Sequence, residues 1–369
     1  MTLRLITEDG VTSSFGLAAD EALANGVGAG ACPRTLRLYT YRSHAALVGR
    51  FQTVENEVDL PFCAAHGITV NRRPTGGGAI LMGADQLGVA LALPAGRDDT
   101  YGRARESMER FGGGILAALR GLGIAAGFRR KNDIEVGGRK LAGLGMYKSP
   151  TGGLLFHASL LVDLDVPLML EVLRTPYEKL ADKGIASVAA RITTLRRVLG
   201  RDLPLDEARE AVVRGYAEAL GVELAAGAFS AEERSAIEGL EQAKYLSPGW
   251  VFQESGVDDA TGSARVKTPS GLVEVRVALA GGVFKAVHIR GDFFAAERAI
   301  VALEASLRWR PVERGAVREA LSQIGRDLRE EVALSSLEGL EDAVLLAAEA
   351  ASRPYGCFVA PGGAGGSPP

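Results

Sequence analysis

Two periodicities of hydrophobic residues run through the first two thirds of the chain. Alternation of apolar and polar residues, or a short apolar run, predicts strands at 35–42, 45–49, 67–70 and 87–93. Three further strands are predicted one after another, with glycine-rich turns between them, at 132–136, 139–147 and 154–164. Because these three strands follow each other so closely, we expect them to pair as hairpins.

Segments in which apolar residues have helical spacing lie between several of these strands. This spacing predicts helices at 13–24, 58–66, 101–122, 206–220 and 230–243. Ser13-Ser14 is expected to cap the first helix and Asn25-Gly26 to end it. Three consecutive glycines at 112–114 are expected to weaken the third helix locally. Residues 221–229 are expected to form a loop near a domain boundary.

A second pattern begins after residue 260. It predicts a meander of strands at 265–268, 272–280 and 283–289, followed by helices near 295–307, 314–328 and 334–351. The last residues are rich in glycine and proline and cannot bury a core, so they are predicted to be disordered. We therefore predict an α+β protein that consists of a mixed-sheet domain (1–228), a small C-terminal domain of a β-meander plus helices (229–357) and a disordered tail (358–369).

The composition is that of an ordinary globular protein. Of 369 residues, 47% are hydrophobic and 24% are charged, and 42 basic residues nearly balance 45 acidic ones. The net charge of -3 gives no general attraction to nucleic acid or to anionic membranes. Three scattered cysteines form no disulfide framework, and no apolar run has the length of a signal peptide core or a membrane span. We therefore expect a cytoplasmic protein whose partners are neither nucleic acid nor membrane.

The first candidate site is the stretch Arg72-Arg73-Pro74-Thr75-Gly76-Gly77-Gly78, which lies between two predicted strands. Glycines let a ligand approach the backbone closely, and successive free N–H groups form a concave site for an anion. The two arginines add positive charge with planar donors. This combination indicates a site for a phosphate or a carboxylate, although a glycine-rich turn with solvated arginines would have the same sequence.

A second candidate site lies on the first predicted hairpin. If Gly137-Gly138 forms its turn, Asn132 and Asp133 lie near Lys140 on the facing strand. An exposed Lys–Asp pair by itself would mean little. Asp133 has the chemistry to hold a divalent metal, since Mg²⁺ usually takes one or two carboxylates together with phosphate oxygens.

Room for a ligand is left beside this hairpin. Gly143 and Gly145 carry no side chains, so a group can pack on the strand at these positions. His157 follows on the third strand of the series, where a single histidine is more typical of a structural residue.

Four blocks, taken together and in order, give the chain a specific resemblance. They comprise residues 72–79, 132–134 with 139–143, 157–161, and 183–188 with Arg191, Thr193 and Leu195. Residues 49–52, Lys244-Tyr245, Trp250 and Gly291-Asp292-Phe293-Phe294 also fit. In these positions the chain resembles lipoate–protein ligase A, of the biotin/lipoate protein ligase superfamily, over nearly its whole length apart from the tail.

The resemblance implies a biotin/lipoate-ligase-like catalytic domain and two half-reactions. Lipoate and ATP condense to lipoyl-adenylate with release of pyrophosphate, with Mg²⁺ as the cofactor. A lysine of a lipoyl-carrier domain then attacks the mixed anhydride, and AMP leaves. The implied acceptors are E2 subunits of 2-oxoacid dehydrogenases or a glycine cleavage H-type protein.

The resemblance also implies a role for each candidate residue. Lys140 is the catalytic residue and would cancel charge where the carboxylate meets the α-phosphate. Asp133 would hold Mg²⁺. The residues implied to bind substrate and adenylate are Arg73, Thr75, Gly76, Gly77, Gly78, Ala79, Asn132, Asp133, Gly145, His157 and Lys183.

One position departs from the family pattern. The family commonly has a histidine shortly after the third glycine of the first block, where this chain has Met82. Methionine can pack on a dithiolane but donates no hydrogen bond. The departure therefore bears on which acyl group is selected.

Three alternatives remain open on the sequence. A biotin–protein ligase shares the block at 139–143 but would carry a Gly-Arg-Gly-Arg type loop, which is absent here. An octanoyl transferase of the same superfamily would use a cysteine thioester and no ATP, and none of Cys32, Cys63 and Cys357 lies near the Lys140 block in sequence. A catalytically inactive module that binds lipoylated domains is the third alternative.

Overall fold

The computed structural model describes residues 2–129, 132–174, 190–253, 262–269, 271–332 and 339–352. In these ranges the strands are β1 (Thr2–Val11), β2 (Thr35–Tyr41), β3 (Ala45–Val48), β4 (Thr69–Arg72), β5 (Ile80–Met82), β6 (Gln86–Pro94), β7 (Gly127–Phe128), β8 (Asp133–Val136), β9 (Arg139–Lys148), β10 (Gly153–Leu161), β11 (Glu223–Ala226), β12 (Gly262–Thr268), β13 (Gly271–Ala280) and β14 (Val283–Gly291). The α-helices are α1 (Ser13–Gly28), α2 (Val54–Glu57), α3 (Leu60–Ala65), α4 (Ala104–Gly121), α5 (Val166–Val172), α6 (Leu195–Leu199), α7 (Leu205–Leu220), α8 (Ala231–Leu240), α9 (Pro248–Val251), α10 (Glu297–Leu307), α11 (Arg314–Asp327) and α12 (Leu340–Ser352). None of the helices within these ranges is both long enough and apolar enough to cross a membrane.

A mixed sheet of eight strands organises the N-terminal part, in the order β11-β1-β2-β6-β10-β9-β8-β7. β1 pairs in parallel with β11 and β2, and the remaining neighbours pair antiparallel. The predicted hairpins of β8, β9 and β10 are confirmed. Gly137 and Gly138 form the first turn with φ of 56° and 77°, left-handed values that favour glycine.

The edge of this sheet differs from the sequence-based prediction. Residues 221–229, predicted to be a loop, contain the strand β11, so that prediction is wrong. The side chains of β11 are largely exposed and show no alternation, and only the pairing with β1 makes this segment a strand. β1 also lies outside the predicted strands.

Helices cover both faces of the sheet. α4 and α7 pack on one face, and α1 packs on the other. α4 runs without interruption through its three glycines, because Gly112 and Gly114 leave room for the rings of Phe128 and Tyr216. A Cβ at Gly114 would lie 2.6 Å from the Tyr216 ring, so glycine here permits close packing.

The ends of α1 also differ from the prediction. Thr12, and not Ser13-Ser14, caps this helix by accepting a hydrogen bond from the Phe15 N–H. The helix continues through Asn25-Gly26 to Gly28, where a Cβ would lie 2.2 Å from the Gly153 backbone. Close contact with the start of β10 therefore requires glycine inside the last turn, and tertiary packing prevails over the local stop signal.

Two smaller sheets complete the fold. In β4-β3-β5, β3 pairs in parallel with β4 and antiparallel with β5, and the Arg/Gly stretch (residues 72–78) connects β4 to β5. The antiparallel sheet β12-β13-β14 is the predicted meander, and it shares a core with α10, α11 and α12. The α+β class is confirmed, and the predicted tail lies outside the described residues.

The segment that leads to the C-terminal sheet packs on the first domain. Phe229, Ile237 and Tyr245 belong to the same core as Leu17 of α1. Arg4 also pairs with Glu233 of α8 at 2.5 Å. The division at residues 228 and 229 remains a prediction.

Candidate functional site

A cavity of about 310 Å³ lies between the main sheet, the sheet β4-β3-β5 and the loop that follows β14. The two candidate sites predicted from the sequence meet there. The predicted residues in its wall are Arg73, Gly76, Gly77, Gly78, Ala79, Asn132, Asp133, Lys140 and His157. Thr75 and Gly145 lie behind His157, in contact with its ring, and Lys183 lies outside the described residues. The tertiary structure thus joins segments that are far apart in the chain.

Arg73 is a buried cation in the cavity wall. Its guanidinium donates to Leu47 O at 2.6 Å and to Gly78 O at 2.8 Å, and within the described residues no acidic side chain pairs with it. Burial lowers the pKa of Arg73 to about 10, so it stays charged at neutral pH. Burying a charge without a counterion is costly, and an anion bound in the cavity would offset that cost.

Arg72 has a different environment. It is 1% exposed, does not line the cavity, and donates to five carbonyl groups at 2.6 to 3.1 Å: those of Gly49, Arg50, Gln52, Trp250 and Val251. Trp250 in turn donates its Nε1–H to Arg72 O. Arg72 therefore ties α9 and the loop after β3 to β4, which is a structural role.

The glycines after Arg73 allow backbone to pack on backbone. A Cβ at Gly76 would lie 2.1 Å from Phe293 O, and a Cβ at Gly49 would lie 1.9 Å from Gly77 O. Gly77 also has a φ of 95°, which L side chains rarely adopt. The C-terminal domain thus contacts the Arg/Gly stretch directly, through Phe293.

Lys140 and Asp133 form an ion pair inside the cavity. Lys140 Nζ lies 2.8 Å from Asp133 Oδ1, and both side chains are about a third exposed or less, at 30% and 28%. A Cβ at Gly143 would lie 3.1 Å from Lys140 Nζ, so the absence of a side chain at Gly143 leaves room for the ammonium group. Asn132 donates to Leu144 O at 2.6 Å and is thereby fixed beside the pair.

The backbone of Lys140 is held on both sides. Its N–H donates to Arg191 O at 2.7 Å, and its carbonyl accepts from the Thr193 N–H at 2.9 Å. Ile192, between these two, lines the cavity. Residues 191–193 thus add a short parallel bridge that fixes the position of the lysine.

His157 is a neutral member of the wall. Its Nε2 lies 2.8 Å from Thr75 Oγ1, and a Cβ at Gly145 would lie 2.7 Å from the same nitrogen. Burial, with a smaller contribution from the charge of Arg73, lowers the pKa of His157 to about 3. Gly145 and Thr75 therefore position an uncharged imidazole, which can exchange a hydrogen bond but adds no charge to the cavity.

This shift predicts a pH dependence of stability. The unfolded chain binds a proton on His157 below about pH 6.5, whereas the folded protein does so only near pH 3. The contribution of His157 to the free energy of unfolding is therefore fully present above the pKa that His157 has in the unfolded chain. It decreases as the pH falls from about 6.5 towards 3. Because the ring borders the cavity, water there moderates the effect, and we expect about 1 kcal/mol between pH 7 and pH 5.

Urea unfolding of wild type and His157→Gln at pH 7 and pH 5 measures this contribution. The wild type should lose about 1 kcal/mol more than the variant between the two pH values. The difference isolates His157 from other groups that titrate in this range, such as Glu57, whose pKa is raised to about 7 by burial. Equal losses in both proteins would contradict the assignment.

Two apolar walls also line the cavity. One consists of core residues shared with α1, namely Leu17, Tyr39, Tyr41, Leu47 and Met82. The other surrounds α5 and is formed by Leu161, Leu164, Met169, Leu173 and Ile192. The cavity therefore offers two apolar regions in addition to its polar residues.

A buried ion pair supports the first wall. Tyr39 donates its hydroxyl to Asp20 at 2.9 Å, and Asp20 pairs with Arg37 at 2.8 Å with both charged side chains at 0% exposure. The Arg37 guanidinium also lies 4.1 Å from the centre of the Tyr39 ring. These contacts hold the ring in one orientation at the cavity.

The described residues of the wall include acids from both domains but no thiol. Asp292, in the loop after β14, lines the cavity although it belongs to the C-terminal domain. The block 291–294 already carried part of the resemblance, but nothing in its sequence places it at the site. Cys32 and Cys63 lie elsewhere, and burial raises the pKa of both, to about 11 for Cys32.

The side chains of the cavity wall determine whether a metal ion could bind there. No cluster of three or more histidine, cysteine or acidic side chains suited to a metal occurs in the part of the chain that the structure describes. Among the described residues, the cavity wall contains two carboxylates, those of Asp133 and Asp292. This set fits Mg²⁺ only when phosphate oxygens complete the coordination.

Comparison with protein families identifies both parts of the chain. Residues 13–217 match the lipoyl protein ligase A/B catalytic domain, and residues 261–340 match the bacterial lipoate protein ligase C-terminus. The chain is 33% identical to the octanoyltransferase LipM of Symbiobacterium thermophilum in a match over 260 residues, and the match covers 64% of this chain and 93% of that protein. It is 30% identical to lipoate-protein ligase A subunit 1 of Thermoplasma acidophilum over 257 residues, 67% of this chain and 94% of that one.

Solved structures agree with this grouping. A bipartite lipoate protein ligase from Thermoplasma acidophilum, studied with its E2 lipoyl domain, superposes with a TM-score of 0.62 and 28% identity over 68% of this chain and 96% of that chain. A lipoate-protein ligase A bound with ATP gives a TM-score of 0.60 and 26% identity over 68% of this chain and 99% of that chain. With the match to more than half of its length, the chain belongs to the family of lipoyl protein ligase A/B catalytic domains, in which lipoate ligases and octanoyltransferases occur together.

Proposed function

We propose that the protein is an ATP-dependent lipoate–protein ligase. It would convert lipoate and ATP to lipoyl-adenylate and transfer the lipoyl group to a lysine of a lipoyl-carrier domain, on an E2 subunit or a glycine cleavage H-type protein. The observation that carries this proposal is the cavity wall, which combines two cations, Arg73 and Lys140, with two apolar regions and contains no cysteine among its described residues.

The cations suit the first half-reaction. Lipoate carboxylate and the α-phosphate of ATP are both anionic, so their approach requires positive charge at the point of contact. Lys140 would lie at that point, because its backbone is fixed on both sides and its ammonium faces the cavity. Arg73 would hold the carboxylate and later the adenylate, together with the amides of residues 76–79.

Two residues on β8 and the turn before it would hold the nucleotide. Asn132 would contact it directly, and Asp133 would hold Mg²⁺ bound to its phosphates. The metal would supply additional charge neutralisation at the triphosphate. Asp133 also pairs with Lys140 at 2.8 Å and keeps its ammonium oriented before substrate arrives.

One apolar wall would bind the acyl chain, and the other would bind the adenine base. Ile192 is bridged to Lys140, so the wall around α5 lies next to the nucleotide residues and would accept the adenine. The wall of Tyr39, Leu47 and Met82 would then accept the acyl tail. Met82 offers a polarisable thioether to a dithiolane ring.

Acyl transfer through a thioester is the alternative, and the similarity to LipM octanoyltransferases favours it. Those relatives match between 64% and 69% of this chain and 93% to 99% of their own length. The remaining C-terminal part includes the match to the lipoate protein ligase C-terminus, which supports the ligase. A thioester needs a thiolate nucleophile, and Cys63 is buried in the apolar core around β3.

A cysteine-free variant separates the two functions. We expect Cys32→Ser/Cys63→Ala/Cys357→Ser to retain ATP-dependent lipoylation of an apo lipoyl domain, because neither half-reaction of a ligase uses a thiol. The assay follows the mass of the acceptor after incubation with ATP, Mg²⁺ and lipoate. Folding of the variant is checked by circular dichroism.

The same acceptor assay includes a transferase arm. Wild type with octanoyl-carrier protein and without ATP should leave the acceptor unmodified. Octanoylation without ATP that disappears in the cysteine-free variant would establish the transferase instead, and Cys357, which lies outside the described residues, would then be examined singly.

A further inference from the structure

The contact between the two domains contains a second, much smaller pocket of about 40 Å³. Glu57 lines it from the first domain, and the C-terminal domain contributes the charged side chains of Arg265, Glu274, Arg290 and Asp292. A space of this size holds few water molecules, so the charged groups around it are poorly hydrated. Ion pairs must therefore replace much of the stabilisation that these charges would find in water.

Arg265 is shared between two carboxylates at this pocket. It lies 3.1 Å from Glu57 and 3.4 Å from Glu274. Glu274 has further partners, since it pairs with Arg276 at 2.9 Å and accepts a hydrogen bond from Asn56 at 2.8 Å. Glu274 is thus well compensated, whereas among the described ion pairs Glu57 has only its share of Arg265.

Two other arginines near the pocket are directed to other carboxylates. Arg290 pairs with Glu304 of α10 at 3.1 Å. Arg174 donates its backbone N–H to Glu57 O at 2.9 Å, but its guanidinium lies 3.9 Å from Asp59. Neither arginine therefore adds an ion pair to the Glu57 carboxylate.

This environment favours the neutral form of Glu57. Its side chain is 19% exposed, and burial is the main cause that raises its pKa from about 4.5 to about 7. Arg265 lowers the pKa, and the negative charges of Asp292 and Glu274 raise it. Between these two pH values the closed contact holds a proton that a solvated Glu57 would release.

We propose that the protonation state of Glu57 controls how tightly the C-terminal domain closes on the first domain, which makes this contact a pH-sensitive device. The neutral carboxyl group suits a pocket that is short of cations, whereas the ionised form adds a further negative charge to it. Protonation of Glu57 therefore stabilises the contact fully below about pH 4.5, and this contribution is lost as the pH rises to about 7. Above that pH, Glu57 is ionised in both the closed and the open contact.

The same contact reaches the cavity through the loop after β14. Asp292 lines both the small pocket and the cavity. The next residue, Phe293, packs its carbonyl on Gly76 and stacks its ring on Phe51 at 5.0 Å. A change in the charge of Glu57 therefore acts on a loop that lines the cavity, whichever reaction takes place there.

Hydrogen exchange of the full-length protein between pH 5 and pH 8, followed by mass spectrometry, measures the opening of this contact. The reporter is the peptide that contains Gly291, whose N–H donates to Phe51 O across the contact at 2.9 Å. Exchange times are scaled to the intrinsic exchange rate at each pH, so that the opening constants can be compared directly.

Glu57→Gln is the principal variant, because glutamine has the shape of the neutral carboxyl group and does not ionise. In wild type the opening constant at Gly291 should be at least about tenfold larger at pH 7.5 than at pH 5, since one pKa unit corresponds to about a factor of ten. In Glu57→Gln the opening constant should stay near the value of wild type at pH 5 throughout this range. The comparison cancels the effects of other groups that titrate between these pH values.

Glu55→Gln is the matched control. Glu55 lies on the same short helix, α2, but it is exposed and does not line the small pocket. Its replacement should leave the pH dependence of exchange at Gly291 as it is in wild type.

Two neighbours of Glu57 should shift the midpoint of the pH dependence in opposite directions. Asp292→Asn removes a negative charge and should shift the midpoint to lower pH. Arg265→Gln removes the shared cation and should shift the midpoint to higher pH. These two variants keep the test decisive if Glu57→Gln folds poorly.

Three outcomes would overturn the role of Glu57. The first is an opening constant in wild type that is unchanged between pH 5 and pH 7.5. The second is an equal change in wild type and Glu57→Gln. The third is a shift in the same direction, or no shift, in both Asp292→Asn and Arg265→Gln.

Discussion

Replacing Lys140 by alanine is expected to abolish adenylate formation while the fold is retained. Alanine leaves no cation where two anions must meet, and loss of one preorganised electrostatic group costs about 10²–10³ in rate, or about 3–4 kcal/mol. The fold should survive because the Lys140 side chain is 30% exposed and because the hydrogen bonds of Lys140 to Arg191 and Thr193 use its backbone, which alanine keeps. Pyrophosphate release with ATP and lipoate is the measurement.

Two variants serve as controls for Lys140→Ala. Lys140→Arg keeps a positive charge but changes its shape, and it should retain more activity than alanine. Gly143→Ala keeps the lysine but places a Cβ 3.1 Å from its Nζ, so the ammonium must shift by a few tenths of an ångström and the loss should be intermediate. Pyrophosphate release by Lys140→Ala at a rate near that of wild type would remove Lys140 from the mechanism.

Arg73→Ala is expected to weaken binding of a non-hydrolysable acyl-adenylate analogue by about 2–3 kcal/mol, roughly 30- to 150-fold. The guanidinium is a buried cation at the cavity whose described partners are all neutral carbonyl groups. An anionic ligand would therefore gain a charge-assisted hydrogen bond in a poorly solvated place. Affinity is measured by calorimetry with the analogue.

Arg72→Ala is the matched control, one residue away on the same strand. Its loss removes hydrogen bonds to five carbonyl groups outside the cavity, so the free energy of unfolding should fall by more than the free energy of ligand binding. Arg73→Ala should show the reverse order. A larger loss of affinity in Arg72→Ala than in Arg73→Ala would reverse the assignment.

Much of the fold follows from local patterns. The β8–β9–β10 hairpins are confirmed because alternation and glycine turns are properties of short segments, as shown by the left-handed φ values of Gly137 and Gly138. The C-terminal meander and helices are confirmed for the same reason. β11 and the true ends of α1 depend on partners elsewhere in the chain, so a local pattern cannot reveal them.

The sequence likewise indicates some features of the candidate site and gives no signal for others. The sequence blocks indicate an anion site at the Arg/Gly stretch and a Lys–Asp pair on the hairpin, because glycine-rich backbone and facing strands have predictable chemistry. Contacts that join distant segments have no such signal. Examples are Thr75 with His157, the bridge from residues 191–193 to Lys140, and the approach of Asp292 to the cavity.

By itself the sequence determined most of the strands and helices, the α+β class and the residue types that can bind an anion, because these depend on periodicity and on the chemistry of single side chains. The resemblance implied that Arg73 and not Arg72 binds the ligand, and the tertiary structure shows the physical difference between the two arginines. Alternation along β4 places Arg72 and Arg73 on opposite sides, but their surroundings decide which side is the cavity and which is filled by carbonyl groups. The structure likewise decided that the C-terminal domain contributes Asp292, because that contact requires close packing of Phe293 on Gly76.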